Sequence, residues 1–217
     1  MKVKTKERHS LKMCRTHIND YSIWRTTMGE NIPGKLEGSR YTWQFYLRRS
    51  LLCPEFQDYA INVLADVFEP IFDAQPFQIA SCETAGVPVG MLIQSALSAR
   101  GHSVGHIIVR KEQKEYGLCN ATEGMNNGMP ALLVDDLAGS QRTLKLARMR
   151  LAMAGIPIHP IYFAIVDKAG VPGAGTHDDA YLKKSQLLTL FDLSDFDLTR
   201  DSYYAMSGEY PPPFEQG

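Results

Sequence analysis

Between residues 77 and 166 the chain alternates between two kinds of segment, and that alternation limits its fold more than any other feature. Phe77–Ala80, Ile107–Val109, Ala131–Val134 and Ile158–Val166 are short apolar runs of the kind that form buried strands. Between them lie stretches that are apolar on one side only. From Pro88 to Ala99, the residues Val89, Leu92, Ile93, Ala96 and Leu97 share one helical face, and Gly101 supplies a stop. Thr143 to Ala154 reads as another helix, ended by Gly155-Ile156-Pro157. Upstream, Phe56, Tyr59, Ala60, Val63, Leu64 and Val67 predict an amphipathic helix over Glu55 to Phe68, with Pro54 suited to its first turn. Strand, helix, strand, a loop, then strand, helix, strand predicts an α/β chain with a parallel sheet flanked by helices. Ligands of such sheets bind at the carboxyl ends of the strands.

Composition narrows the function classes. Lys and Arg number 23 against 24 Asp and Glu, so a net charge of −1 gives no global field to gather nucleic acid. No apolar run approaches the ~20 residues of a membrane helix. Lys2, Lys4, Lys6, Arg8, Lys12 and Arg15 make a basic start without an apolar core, read as a solvated or frayed segment rather than a secretory signal. Cys14, Cys53, Cys82 and Cys119 are widely spaced, which argues against a zinc knuckle or a dense disulfide framework and suits a cytoplasmic protein. His9, His17, His102, His106, His159 and His177 form no metal-spaced pair. Trp24 and Trp43 precede the sheet and are read as packing residues, with Trp43 or Phe45 also able to stack on a planar base.

The loops after the strands carry the chemistry. Asp135-Asp136 follows an apolar run; such a pair caps a turn or accepts hydrogen bonds from the vicinal hydroxyls of a ribose. Gly139, Ser140, Gln141, Arg142 and Thr143 come next, at a helix N-terminus whose N–H groups suit a phosphate. Arg110, Lys111 and Lys114 leave another strand and open a segment of about 20 residues without periodicity, read as a lid. Glu83-Thr84-Ala85-Gly86 forms a second N–H-rich turn, suited to an anion or to simple helix capping. Neither G-x-G-x-x-G nor a P-loop is present.

In order and spacing over Phe77 to Asp167, Glu83-Thr84-Ala85-Gly86-Val87-Pro88, Arg110-Lys111-x-x-Lys114 and Asp135-Asp136 with its loop resemble the type I phosphoribosyltransferases, in particular the orotate phosphoribosyltransferases. The resemblance implies a Rossmann-like parallel sheet with a small N-terminal hood. It divides the chain into a hood and arm at 1–50, a core at 51–200 and a tail at 201–217. It also implies a Mg2+-dependent transfer of the 5-phosphoribosyl group from phosphoribosyl pyrophosphate (PRPP) to a nucleobase, orotate or a related pyrimidine, in a cytoplasmic homodimer of nucleotide metabolism. Residue by residue, Asp135 and Asp136 would bind the ribose hydroxyls, directly or through the metal's water shell. Gly139, Ser140, Gln141, Arg142 and Thr143 would cradle the 5′-phosphate, and Thr84, Ala85 and Gly86 would lie against the pyrophosphate. Arg110, Lys111 and Lys114 would neutralise that pyrophosphate, and Lys35, Arg40 and Lys168 would face the base.

The sequence departs from the family pattern at Gln141 and Arg142 in the phosphate loop, at Tyr116 in the lid, and at Lys168, where orotate enzymes carry Arg. A guanidinium grips a carboxylate in bidentate fashion and an ammonium does not. These departures leave a second reading open, a ligand-binding regulatory protein that keeps the sugar-phosphate site without catalysis. A third, nucleic-acid binding, rests only on the basic start.

Overall fold

The computed structural model describes residues 9–25, 43–111, 121–139, 142–168 and 186–198. Two compact units divide inside one long helix, one formed by the described residues of Ile61–Leu193 and the other by residues 9–25, 43–60 and 194–198.

The larger unit is the expected α/β layer. Its sheet contains β3 (Gln78–Cys82), β4 (His106–Val109), β5 (Thr122–Glu123), β6 (Ala131–Ala138), β7 (Ile158–Asp167) and β8 (Leu187–Asp192), in the order β5-β4-β3-β6-β7-β8. All neighbouring pairs are parallel except β4 and β5. Strand alternation sends odd and even residues to opposite faces. Ala80 and Cys82 of β3, with Ile107 and Val109 of β4, pack with Leu144, Ala147 and Leu151 of α5 (Arg142–Met153). On the other face, Gly90 of α4 (Gly86–Ser98) lies against Ile79 and His106, close enough that a Cβ there would come within 3.2 Å of Ile79. The helices therefore cover both faces. Gly101 (φ 88°) and Gly155 (φ 69°) follow α4 and α5 in the left-handed region that ends helices, as the sequence predicted.

Three expectations change. The helix expected over Glu55 to Phe68 runs as α3 (Pro54–Ala74), straight through Pro70. Proline removes one helical N–H, and Pro70 stands on the exposed side of the helix. Beyond it Phe72 is buried, its ring 5.2 Å from Phe77 and 5.0 Å from His102. Burial of that ring offsets the lost bond. The long segment after Arg110 is not wholly irregular: Thr122 and Glu123 return along the sheet edge, pairing with Val109 and Ile108. Residues 112–120, with Lys114, Tyr116 and Cys119, lie outside the described residues.

The basic start is the third change. From His9 it forms α1 (His9–Tyr21), which buries Cys14, His17, Ile18 and Tyr21. The smaller unit also contains β1 (Ile23–Arg25) antiparallel to β2 (Trp43–Phe45), and a short helix, α2 (Arg48–Leu51). Trp24 and Trp43 pack on Tyr46 and Phe45 as expected. Lys2, Lys4, Lys6, Arg8, Lys35, Arg40 and residues 201–217 lie outside the described residues.

His17 of α1 is held between Ser50, 2.9 Å from its Nδ1, and Cys53, 3.3 Å from its Nε2. Burial depresses its pKa to about 4, against the smaller opposing pull of Glu55 and Asp20. An unfolded histidine titrates near 6.5, so between these values the unfolded chain binds the proton that the folded chain refuses. Stability should therefore decline as pH falls from about 6.5 to about 4. Melting temperature recorded against pH checks this; His17→Gln should flatten that limb, and an unchanged acid slope would assign it to other groups.

Candidate active site

The parallel strands read β4-β3-β6-β7-β8 across the sheet, so the chain leaves β3 in one direction and returns on its other side at β6. Their carboxyl ends form the topological switch point, where open α/β sheets bind ligands. The turn after β3 and the acidic pair of β6 both fall there.

The turn closes tightly on β6. Its Glu83–Thr84 peptide is cis, and Thr84 O accepts the Val87 N–H at 3.3 Å. Gly86 opens α4 directly against the acidic pair. A Cβ on Gly86 would lie 2.7 Å from Val134 O, 3.3 Å from Asp135 Cα and 3.4 Å from Asp135 Oδ1. Glycine is required by this close approach of two backbones, rather than by a positive φ.

Asp135 and Asp136 sit within β6, which continues to Ala138, rather than beyond its end. Asp135 is 7% exposed and Asp136 half-buried. Asp135 Oδ1 accepts the Asp136 N–H at 2.9 Å. Burial, then the Asp136 carboxylate, push Asp135 well above the ordinary carboxylate range, and the Lys111 ammonium opposes them. Cys82, at the end of β3, is fully buried; burial and the Asp135 charge raise its thiol far from reactivity.

Arg110 and Lys111 follow β4 on the same edge. The Lys111 N–H donates to Glu83 Oε2 at 3.0 Å, and the Arg110 guanidinium lies 3.8 Å from Glu83 Oε1 and in contact with Glu123 of β5. Lys168 follows β7, its N–H donating to Ala138 O at 2.7 Å. Burial lowers the Lys168 ammonium's pKa, and the Asp136 charge works against that shift. Gly139 is half-buried after β6, and Arg142 and Thr143 form the first turn of α5.

The structure thus gathers Thr84, Ala85, Gly86, Arg110, Lys111, Asp135, Asp136, Gly139, Arg142, Thr143 and Lys168 along one edge of one sheet. Lys114, Ser140, Gln141, Lys35 and Arg40 lie outside the described residues. Sequence reasoning passed over Glu83 and Glu123 as groups in their own right. The available signal was a carboxylate inside a turn otherwise suited to anions. Among the described residues no three metal-ligating side chains cluster, and none of their helices is long and apolar enough to cross a membrane.

This architecture is the type I phosphoribosyltransferase fold. Among solved structures, the chain is similar to the orotate phosphoribosyltransferase of Mycobacterium tuberculosis H37Rv in complex with PRPP (TM-score 0.61, 14% identity, covering 88% of this chain and 94% of that one). It is also similar to the orotate phosphoribosyltransferase of Aeropyrum pernix (TM-score 0.59, 18% identity, 85% and 95% covered). A third similar structure is the adenine phosphoribosyltransferase of Trypanosoma brucei with AMP, pyrophosphate and ribose-5-phosphate (TM-score 0.61, 16% identity, 91% and 86% covered). No protein-family model and no curated protein matches the sequence.

Proposed function

We propose that the protein is a phosphoribosyltransferase that joins a nucleobase, orotate or a related pyrimidine, to PRPP and releases pyrophosphate. The observation that carries this reading is the meeting, at the switch point, of the Asp135–Asp136 pair with the Gly86 turn and the Lys111 ammonium. These are groups suited to the hydroxyls, the anion and the leaving charge of one activated sugar.

In the proposed reaction the bond from ribose C1 to pyrophosphate breaks, its electrons leave with pyrophosphate, and C1 bonds to a ring nitrogen of the base, whose N–H proton is lost to water or to the departing pyrophosphate. Asp135 and Asp136 accept hydrogen bonds from the ribose hydroxyls, and their charge favours the cationic sugar. N–H groups of Ala85 and Gly86 meet the pyrophosphate, and Arg110, Lys111 and Lys114 neutralise it as it departs. Gly139, Ser140, Gln141, Arg142 and Thr143 hold the 5′-phosphate. Lys168 offers an acceptor carboxylate a point charge rather than a fork.

The acidic pair fits a Mg2+ ion. Burial leaves Asp135 short of positive charge, with Lys111 the cation acting on it. Mg2+ characteristically takes one or two carboxylates and completes its shell with water and substrate phosphates. When bound, the ion supplies positive charge to the donor's oxygens.

The second reading, binding of PRPP or a nucleotide without catalysis, draws on Arg110, whose charge is already met by Glu83 and Glu123. A panel of orotate, uracil, adenine and hypoxanthine with Mg-PRPP, scored for pyrophosphate release, separates the two. Orotate should give the fastest release. Fastest release with adenine would move the acceptor to the purines, and no release with any base, alongside calorimetric binding of PRPP, would favour the regulatory reading.

A further inference from the structure

Glu83 is the one carboxylate in the turn that the proposed function assigns to pyrophosphate. Its two oxygens engage the residues after β4 given to that same anion: Oε2 accepts the Lys111 N–H at 3.0 Å, and Oε1 stands 3.8 Å from the Arg110 guanidinium. Glu123 contacts Arg110 from the edge strand. One cation thus faces two carboxylates. Arg110 Nε is buried with no hydrogen-bond acceptor, so these contacts leave one of the guanidinium's donors unmet.

We propose that Glu83 is a positioning residue that competes with the donor's pyrophosphate for Arg110 and the Lys111 N–H, so that the donor binds by exchanging one anion for another. This rests on the phosphoribosyltransferase reading and adds to it a residue that sets how tightly a diphosphate is held. Three physical points support the exchange. A carboxylate and a diphosphate oxygen take the same N–H and guanidinium donors. Glu83 is 30% exposed and Arg110 20%, so the pair can open without uncovering a core. A carboxylate left in place beside a bound diphosphate would repel it, as like charges disfavour one another at close range.

The turn also gains from the contact when no donor is bound. Glu83 is held twice, through its side chain to the residues that follow β4 and through its own N–H donating to Val109 O of β4 at 2.9 Å. The side-chain link is the reversible half, because the backbone bond needs no charge.

The test uses the full-length protein and two probes, inorganic pyrophosphate and PRPP, titrated by calorimetry, with KM and kcat from the base that turns over best. Glu83→Gln keeps an acceptor for the Lys111 N–H and removes the charge. It should bind pyrophosphate at least about fivefold more tightly than the parent and lower the KM for PRPP, with kcat moved less than KM. Glu123→Gln, which relieves Arg110 from the other side, should tighten pyrophosphate in the same direction and provides a second route if Glu83→Gln folds poorly. Unchanged or weaker pyrophosphate binding in both variants overturns the proposal, and so does a failure of pyrophosphate to bind parent and variants alike. PRPP binding and turnover that persist in those cases leave the transferase reading standing; absence of PRPP binding in every protein removes that reading instead.

Discussion

Replacing Asp135 with Asn should make the ligand-free protein more stable and nearly inactive. Asn keeps an oxygen to accept the Asp136 N–H, so the local backbone bond survives. It removes a carboxyl that burial and Asp136 hold well above its ordinary pKa. An unfolded aspartate titrates near 3.9. The folded protein holds the Asp135 proton to higher pH than the unfolded chain does. The stability from this group is therefore full below about pH 3.9 and is lost as pH rises through the raised folded value. At neutral pH, far above the unfolded value, the buried Asp135 costs stability, and Asp135→Asn should raise the melting temperature by about 2–4 °C, the shift that about 1 kcal/mol produces at this chain length. Turnover should fall about 100-fold, the usual loss when one preorganised electrostatic group is removed from the reacting centre. A lowered melting temperature would show that the carboxylate is structurally paired, and near-parent turnover would remove Asp135 from the reaction. Destabilised functional sites of this kind are the expected cost of activity.

Gly86→Ala should have the opposite sign for stability and an equally large effect on the site. The added methyl would sit 2.7 Å from Val134 O and 3.3 Å from Asp135 Cα, both backbone atoms that cannot swing aside. Either α4 moves off β6 or the acidic pair shifts, at a cost of about 1–3 kcal/mol of the kind seen for overpacked sites. A displacement of the order of 1 Å at a reacting centre costs about 100-fold in rate, so kcat/KM should drop by about that much. Gly90→Ala serves as a comparison. Its methyl would meet the His106 ring at 2.6 Å, where Ser81 Oγ lies 2.8 Å from Nε2. That variant should lose stability without a comparable loss in PRPP affinity. Equal loss of affinity in both would mean that general destabilisation, rather than the approach to Asp135, explains the Gly86 effect.

Local pattern made much of the larger unit legible. The apolar runs at β3, β4, β6 and β7 are strands whose residues are mostly buried, with little polar interruption, and α4 and α5 have clear faces and glycine stops. The elements missed are those whose local signal is weak. The spacing of Cys14, His17, Ile18 and Tyr21 marks α1, but dense polar and basic residues around them hide it. Leu187–Asp192 is a buried run long enough for β8, and no helical signal led into it for a β-α-β reading to catch. The helix expected to end at Phe68 continues through Pro70 to Phe72, whose ring has a place to pack.

By itself the amino-acid sequence determined β3, β4, β6, β7, α4 and α5 and which loops carry acid, amide and cation, because side-chain periodicity and glycine placement act over a few residues. Only the tertiary structure decided that these loops meet. Insertion of β6 beside β3, rather than beyond β4, brings Gly86 onto Asp135 and sets Lys111 within electrostatic reach of it. It also decided the electrostatic surroundings, since burial of Asp135 and the engagement of Arg110 by Glu83 and Glu123 depend on neighbours distant in the chain, and a field in a low-dielectric interior is set by distance in space.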